Sequence, residues 1–277
     1  MANKKKALFF AACDENNFKY AIPFWKSLTK FHSPKDIDMV LFTNEKKKEN
    51  LAKLPQGIQI VDVTPYLRDP YFWYRQKPVL AEKFMDDYEL VVGFDVDQLV
   101  LGDLNYILDT DDYDIGTVIN WNRSDPQFYG DVEMMRIGIL PIEYFNCGLV
   151  AMRSKKFVHH WAILCFSEQF NRVQYREQDI LNVLCYYGNY NVRCFDHGDG
   201  VKNHYGWYGL ISKGELGRAE LRGKDIVLPK GFGDTPFPPT DQTLKVVHLG
   251  GGAGAPKDNW GLFFSPEVMK RIQELIQ

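Results

Sequence analysis

The segment Glu89-Leu-Val-Val-Gly-Phe-Asp-Val-Asp-Gln-Leu-Val-Leu101 decides the architecture. Its first half, Glu89–Phe94, is a short, continuous apolar run, as expected of a strand buried on both faces. The run ends in an Asp-x-Asp pair, Asp95 and Asp97. The chain has 23 Asp, for which chance gives about two such pairs, and it has four, at 36/38, 95/97, 109/111 and 112/114. Spacing alone therefore carries little. Only the 95/97 pair follows an apolar strand, and open α/β sheets bind ligands outside the carboxyl ends of their strands. Two carboxylates there repel each other and resist desolvation unless a cation neutralises them. A hard divalent ion bridging to a phosphorylated substrate meets that need, whereas a solvated turn is the plain alternative.

Strand-like and helix-like segments alternate around this run. Ala7–Cys13, Asp38–Thr43, Ile58–Val63, Asp114–Ile119 and Gly148–Arg153 read as strands; Phe18–Phe31, Pro78–Asp87, Lys155–Phe170 and Gln178–Tyr187 read as helices. The alternation predicts βαβ units and an α/β fold with a mostly parallel sheet flanked by helices. Further along the sequence is less regular. Asp196–Gly217 reads as a long functional loop, Lys230–Thr240 as extended or turn, and Lys245–Leu249 as a last strand. Gly250–Ala255 reads as a small-residue loop, and Ser265 caps a closing helix with Pro266 at its first position. With no repeat or boundary, one domain is expected over 1–277, a regular half at 1–119 followed by an irregular one at 120–277.

The 277 residues carry 33 Lys+Arg against 36 Asp+Glu, so the net charge of −3 argues against a general nucleic-acid binder. No apolar run approaches a membrane span, although Lys4–Lys6 could add a weak membrane-surface contact. Five cysteines without a CxxC spacing fit reduced thiols and a cytoplasmic location better than a disulfide framework or a zinc site. Basic residues, a short apolar stretch and Cys13 look like a lipoprotein signal. The stretch Ala7–Ala12 is too short for one and reads as a buried first strand.

Four segments, in order, resemble the family-8 glycosyltransferases, GT-A fold enzymes that include glycogenin and bacterial lipopolysaccharide galactosyltransferases. They are the strand with Asp95-Val-Asp97, Tyr144-Phe-Asn-Cys-Gly148, Arg176-Glu-Gln-Asp-Ile-Leu-Asn182, and Val246-Val-His-Leu-Gly250 followed by Lys257 and Trp260. The resemblance spans Ala7 to about Trp260. It implies transfer of a hexose from a nucleotide diphosphate sugar, usually UDP-linked, with retention at the anomeric carbon and Mn²⁺ (or Mg²⁺) bound. It makes 1–119 the nucleotide-binding half and 120–277 the acceptor side.

By that resemblance Asp95, Asp97 and His248 form the metal set, a mixture of oxygen and imidazole nitrogen that Mn²⁺ accepts. Gly251 and Lys257 match the diphosphate-binding glycine and lysine. The loop here is longer than the family's His-x-x-Gly-x-x-Lys-Pro-Trp, so the lysine is matched less closely than the histidine. Asn146 and Gly148 match the Asn-Ala-Gly that packs on the donor sugar, with Cys147 in place of Ala. Glu177, Gln178 and Asp179 match the acidic-Gln-Asp triplet that opens a helix near the anomeric carbon. The implied chemistry is front-face attack by the acceptor, the leaving phosphate serving as base. Ala11 and Asp14 fall in the first-strand motif that contacts the nucleoside, where Cys13 replaces an acidic residue. Lys77, in preference to Arg75, matches a basic donor contact. Asn203–Tyr208 and Asn120–Tyr129 are the acceptor-side candidates. A nucleotidyltransferase would share the metal carboxylates, but the Gly-free, acidic Ala11–Asn17 lacks its phosphate loop. A sugar-nucleotide or glycan-binding protein without turnover is the non-enzymatic alternative.

Overall fold

The computed structural model describes residues 5–119, 144–173, 175–195, 201–207, 218–229, 241–250 and 264–277. Strand β1 (Lys5–Cys13) leads through helix α1 (Phe18–Thr29) to β2 (Asp38–Thr43), and the short α2 (Lys48–Leu51) leads to β3 (Ile58–Asp62). Helix α3 (Gln76–Ala81) precedes β4 (Tyr88–Phe94), β5 (Gln98–Val100), α4 (Asn105–Leu108) and β6 (Ile115–Ile119). Then come β7 (Phe145–Met152), α5 (Lys155–Cys165), α6 (Glu168–Arg172), α7 (Glu177–Tyr187) and β8 (Val192–Cys194). The described elements end with β9 (Val201–Trp207), β10 (Glu220–Arg222), β11 (Asp225–Leu228), β12 (Gln242–Gly250) and α8 (Pro266–Ile276).

A seven-stranded sheet runs in the order β3-β2-β1-β4-β7-β6-β8. Strands β3, β2, β1 and β4 are parallel, β7 runs against both neighbours, and β6 is parallel to β8. The sheet is therefore mostly parallel, and β4 is an interior strand, as its unbroken apolar run requires. Alternate residues of β1 feed two cores. Ala7, Phe9 and Ala11 pack with α1 residues such as Phe24 and Trp25 on one face. Leu8, Phe10 and Ala12 pack on the other with Leu80 of α3, Trp161 of α5 and Leu181 of α7. Helices thus cover both faces.

Beyond β4 a second sheet forms in the order β10-β11-β12-β5, with β9 parallel to β12. Its core joins Leu99, Ile226, Leu244 and Val247 to Val268, Ile272 and Leu275 of α8. Helix α8 starts where predicted, Ser265 Oγ accepting from Val268 N at 3.3 Å with Pro266 at the first position.

Three expectations change. Val201–Trp207, read as loop, is a strand: its Gly, aromatic and polar mixture carries no period, and pairing with β12 decides its conformation. The helix expected over Lys155–Phe170 breaks after Cys165, where Ser167 Oγ donates to Leu164 O at 2.7 Å, and α6 starts afresh at Glu168. The helix expected over Pro78–Asp87 is the earlier and shorter α3.

Candidate functional site

At the carboxyl ends of the parallel strands, Cys13, Thr43 and Asp62 stand level in the ladder, and β4 delivers Asp95 at the same edge. Asp95 N donates to Gly148 O at 2.8 Å. Gln98, buried just behind, donates through Nε2 to Asp95 O at 2.6 Å and Gly148 O at 3.0 Å. These bonds shape the bend that aims both aspartates outward.

The second sheet supplies the histidine. In the β12–β5 ladder His248 pairs with Gln98 and Val246 with Val100. Helix α1 braces β5, since Val100 N donates to Ser27 Oγ at 3.0 Å, and beyond the ends of the two elements Leu104 N donates to His32 Nε2 at 2.9 Å. Burial lowers the pKa of His32 and so keeps this ring nitrogen available as an acceptor. The result is a cluster in which one ligand atom each from Asp95, Asp97 and His248 lies within 4.8 Å of the others. His248 Nε2 is 2.9 Å from Asp97 Oδ1 and 3.8 Å from Asp95 Oδ2. Two carboxylates and an imidazole make a donor set suited to a first-row divalent ion. Burial works against charge on His248, but Asp97 and then Asp95 outweigh it and raise its pKa. Burial likewise opposes the Asp97 carboxylate, and His248 lowers its pKa nonetheless.

Lys77 reaches Asp95 from α3. It is 2% exposed, and its Nζ is paired with Asp95 Oδ1. Burial disfavours the ammonium, yet the neighbouring Asp95 holds its pKa above the usual value. Gly93 makes room for its stem: a Cβ there would lie 2.9 Å from the Phe10 ring and 3.6 Å from Lys77 Cδ.

The strand β7 and the start of α7 close the other side. Gly148 N donates to Asn146 Oδ1 at 2.6 Å, an Asx-type turn that occupies that oxygen. Cys147 N donates to Gln178 Oε1 at 3.0 Å, and Cys147 Sγ to Glu177 Oε1 at 3.7 Å. Glu177 O accepts from Trp161 Nε1 at 2.9 Å. Burial pushes the Glu177 carboxyl up to about 8, with Lys77 acting in the opposite sense. Asp179 faces inward. Its two oxygens accept from Tyr144 OH and from Tyr175 N, the latter at 2.7 Å. Asn182 grips the Phe145 backbone at both its N–H (2.7 Å) and its C=O (2.8 Å).

Glu177, Gln178, Asn146, Gly148, Lys77, Asp95, Asp97 and His248 thus gather at one edge, while Asp179 is enclosed behind them. Ala11 is fully buried inside the sheet, paired with Leu41 and Phe94. Asp14 lies just past β1, and its Oδ1 accepts from Asn17 N at 2.8 Å. Gly251, Lys257, Trp260 and Asn120–Tyr129 lie outside the described residues, as do Tyr208 and Lys230–Thr240. Gln98 is a supporting residue that sequence reasoning missed, and Tyr144 and Asn182, quoted within the motifs, had no supporting role assigned to them. The polar positions at 98 and 182, set among apolar residues, were the available signal.

No family model and no curated protein matches the sequence. Solved structures do match. The galactosyltransferase LgtC, in complex with donor and acceptor sugar analogues, superposes with a TM-score of 0.64 at 21% identity over 97% of this chain and 95% of that one. An active-site mutant of LgtC gives 0.64 at 20% identity over 97% and 94%. The apo bifunctional glycosyltransferase WbbM gives 0.62 at 14% identity, covering all of this chain but 50% of its own. With its mostly parallel sheet, helices on both faces and acidic pair at the end of β4, this chain has the GT-A fold of those glycosyltransferases.

Proposed function

We propose that this chain is a single-domain, cytoplasmic, metal-dependent glycosyltransferase that moves a hexose from a UDP-linked sugar to an acceptor hydroxyl with retention of configuration. The observation that carries the reading is the meeting of Asp95, Asp97 and His248 at the carboxyl edge of the sheet. It is joined by the fold shared with LgtC, whose structure holds donor and acceptor sugar analogues.

In this reading Asp95, Asp97 and His248 hold Mn²⁺ or Mg²⁺, which when bound supplies charge neutralisation for a departing diphosphate. Lys77 adds a fixed cation beside Asp95, and Gly251 and Lys257 complete the phosphate contacts. Ala11, through its backbone, and Asp14 border the nucleoside. Gly148 lets the sugar approach the backbone, Asn146 contributes its amide, and Gln178 and Glu177 face the anomeric carbon. LgtC likewise has an active-site glutamine, the residue changed to glutamate in its mutant form. Burial pushes the Glu177 carboxyl up to about 8, which favours its protonated form at neutral pH. That protonation supports front-face attack by the acceptor over a Glu177 nucleophile. Asp179 positions the segment by holding Tyr144 and Tyr175.

The test is release of UDP from a panel of UDP-hexoses with Mn²⁺, before and after chelation. One UDP-hexose hydrolysed slowly without an acceptor, and only with metal, supports the reading. No turnover of any nucleotide sugar opposes it.

A further inference from the structure

Two guanidinium groups share one aromatic platform, carried by the residues that lead into α3 with Lys77 and into α7 with Glu177. Arg75 stands immediately before α3 and two residues before Lys77; Arg176 stands immediately before α7 and is followed by Glu177 and Gln178. Arg75 Cζ lies 5.5 Å from the Tyr71 ring centroid and 4.8 Å from that of Phe170. Arg176 Cζ lies 5.9 Å and 5.5 Å from the same two rings. Phe166, 62% exposed, flanks Arg75 at 4.4 Å; Phe170 is buried and Tyr71 is 40% exposed, so the platform meets solvent along its Tyr71 and Phe166 side.

The charges on this platform do not balance. Asp69 Oδ2, 3.1 Å from Arg75 Nε, is the one carboxylate that either guanidinium meets among the described residues. Arg75 is 7% exposed, yet its Nε has no aligned hydrogen-bond acceptor, and its terminal NH groups donate none among the described residues. Arg176 spends one donor on Phe170 O at 2.9 Å. Its backbone sits at φ 49°, ψ −119°, a region that non-glycine residues rarely occupy. Two cation forks on shared rings, with donors to spare and a single counter-charge, are suited to an oxyanion.

We propose that Arg75 and Arg176, on the Tyr71–Phe170 platform, form a subsite for a carboxylate or phosphate carried by the acceptor. This rests on the transferase reading and names the acceptor as acidic. The subsite grips the anion while a neutral hydroxyl of the same molecule is presented toward Gln178 and Glu177.

The experiment titrates glucuronic acid, glycerol 3-phosphate and neutral glucose into the full chain saturated with UDP and diamagnetic Mg²⁺, followed by NMR. At least one acid should bind tenfold or more tightly than glucose and shift the arginine Nε–Hε resonances; which acid does so separates carboxylate from phosphate. Arg176→Gln should abolish the preference, Arg176→Lys should keep part of it, and neither should change UDP affinity more than twofold. Equal binding of acids and glucose to the wild type, which requires no variant to fold, overturns the proposal. So does acid binding that survives Arg176→Gln but is lost in Lys77→Met. Failure of UDP to bind the wild type would instead sink the transferase reading, whereas arginine-dependent acid binding would still support the subsite.

Discussion

Across the β5–β12 ladder His248 stands opposite Gln98, and that register holds its Nε2 2.9 Å from Asp97 Oδ1. One buried glutamine thereby supports the whole cluster: its backbone fixes the histidine, and its side chain donates to Asp95 O and Gly148 O. Gln98→Leu keeps the bulk and removes both donors. Buried carbonyls that lose a partner cost about 1–3 kcal/mol, and supporting contacts around metal ligands typically carry about 10–100-fold in affinity. Urea unfolding and Mn²⁺ titration should both register the loss; a variant unchanged in both would contradict the role.

Lys77 and a divalent cation compete for Asp95. Lys77→Met should therefore tighten Mn²⁺ binding in the absence of nucleotide by about tenfold, the equivalent of about 1.4 kcal/mol. It should weaken UDP–Mn²⁺ binding, because a cation beside the diphosphate is gone. Opposite signs in the two titrations are the expected result, and a parallel loss in both would refute it.

The Glu177 carboxyl titrates near 8 in the fold, against 4.5 as its ordinary value, because burial penalises its charge. A folded pKa that is raised contributes stability that is complete below the ordinary value and is lost as pH climbs through the folded one. Unfolding midpoints of the wild type should thus fall between about pH 5 and pH 8. Glu177→Gln, which cannot ionise, should flatten that slope. Identical slopes for the two proteins would rule out a buried, protonated Glu177.

Asp179 is enclosed by Tyr144 OH and Tyr175 N, so its removal should act on stability before chemistry. Asp179→Ala removes the acceptor shared by Tyr144 OH and Tyr175 N, at a cost of about 1–3 kcal/mol. Thermal unfolding should drop accordingly, while the shape-preserving Asp179→Asn should retain UDP–Mn²⁺ binding within a fewfold. Full stability of Asp179→Ala would overturn this assignment.

What was legible in the sequence follows from how local each signal is. Glu89–Phe94 is apolar without alternation, so an interior strand and its Asp95–Asp97 terminus could be read directly. Ser265 and Pro266 mark their helix by short-range rules. The second sheet could not be read in the same way. Val201–Trp207 has no period of its own and becomes a strand by pairing with β12, a partner about forty residues away. The histidine could be matched by motif, but its partner Gln98 depends on an antiparallel register that no local pattern encodes. Tyr144, Asn182 and Asp179 form a buried polar clamp across two elements, where each residue taken alone looks like ordinary strand or helix content. The Arg75–Arg176 pair arises in the same way, from segments far apart in the chain.

Asp95, Asp97 and His248 are expected to hold a divalent ion for a nucleotide sugar, and calorimetry reads that binding. UDP and a panel of UDP-hexoses would be titrated into the wild type and Asp97→Ala, with and without Mn²⁺. Metal-dependent binding of UDP and of one UDP-hexose, lost in the variant, is expected. Binding that ignores both Mn²⁺ and Asp97, or no binding of any nucleotide sugar, would contradict it.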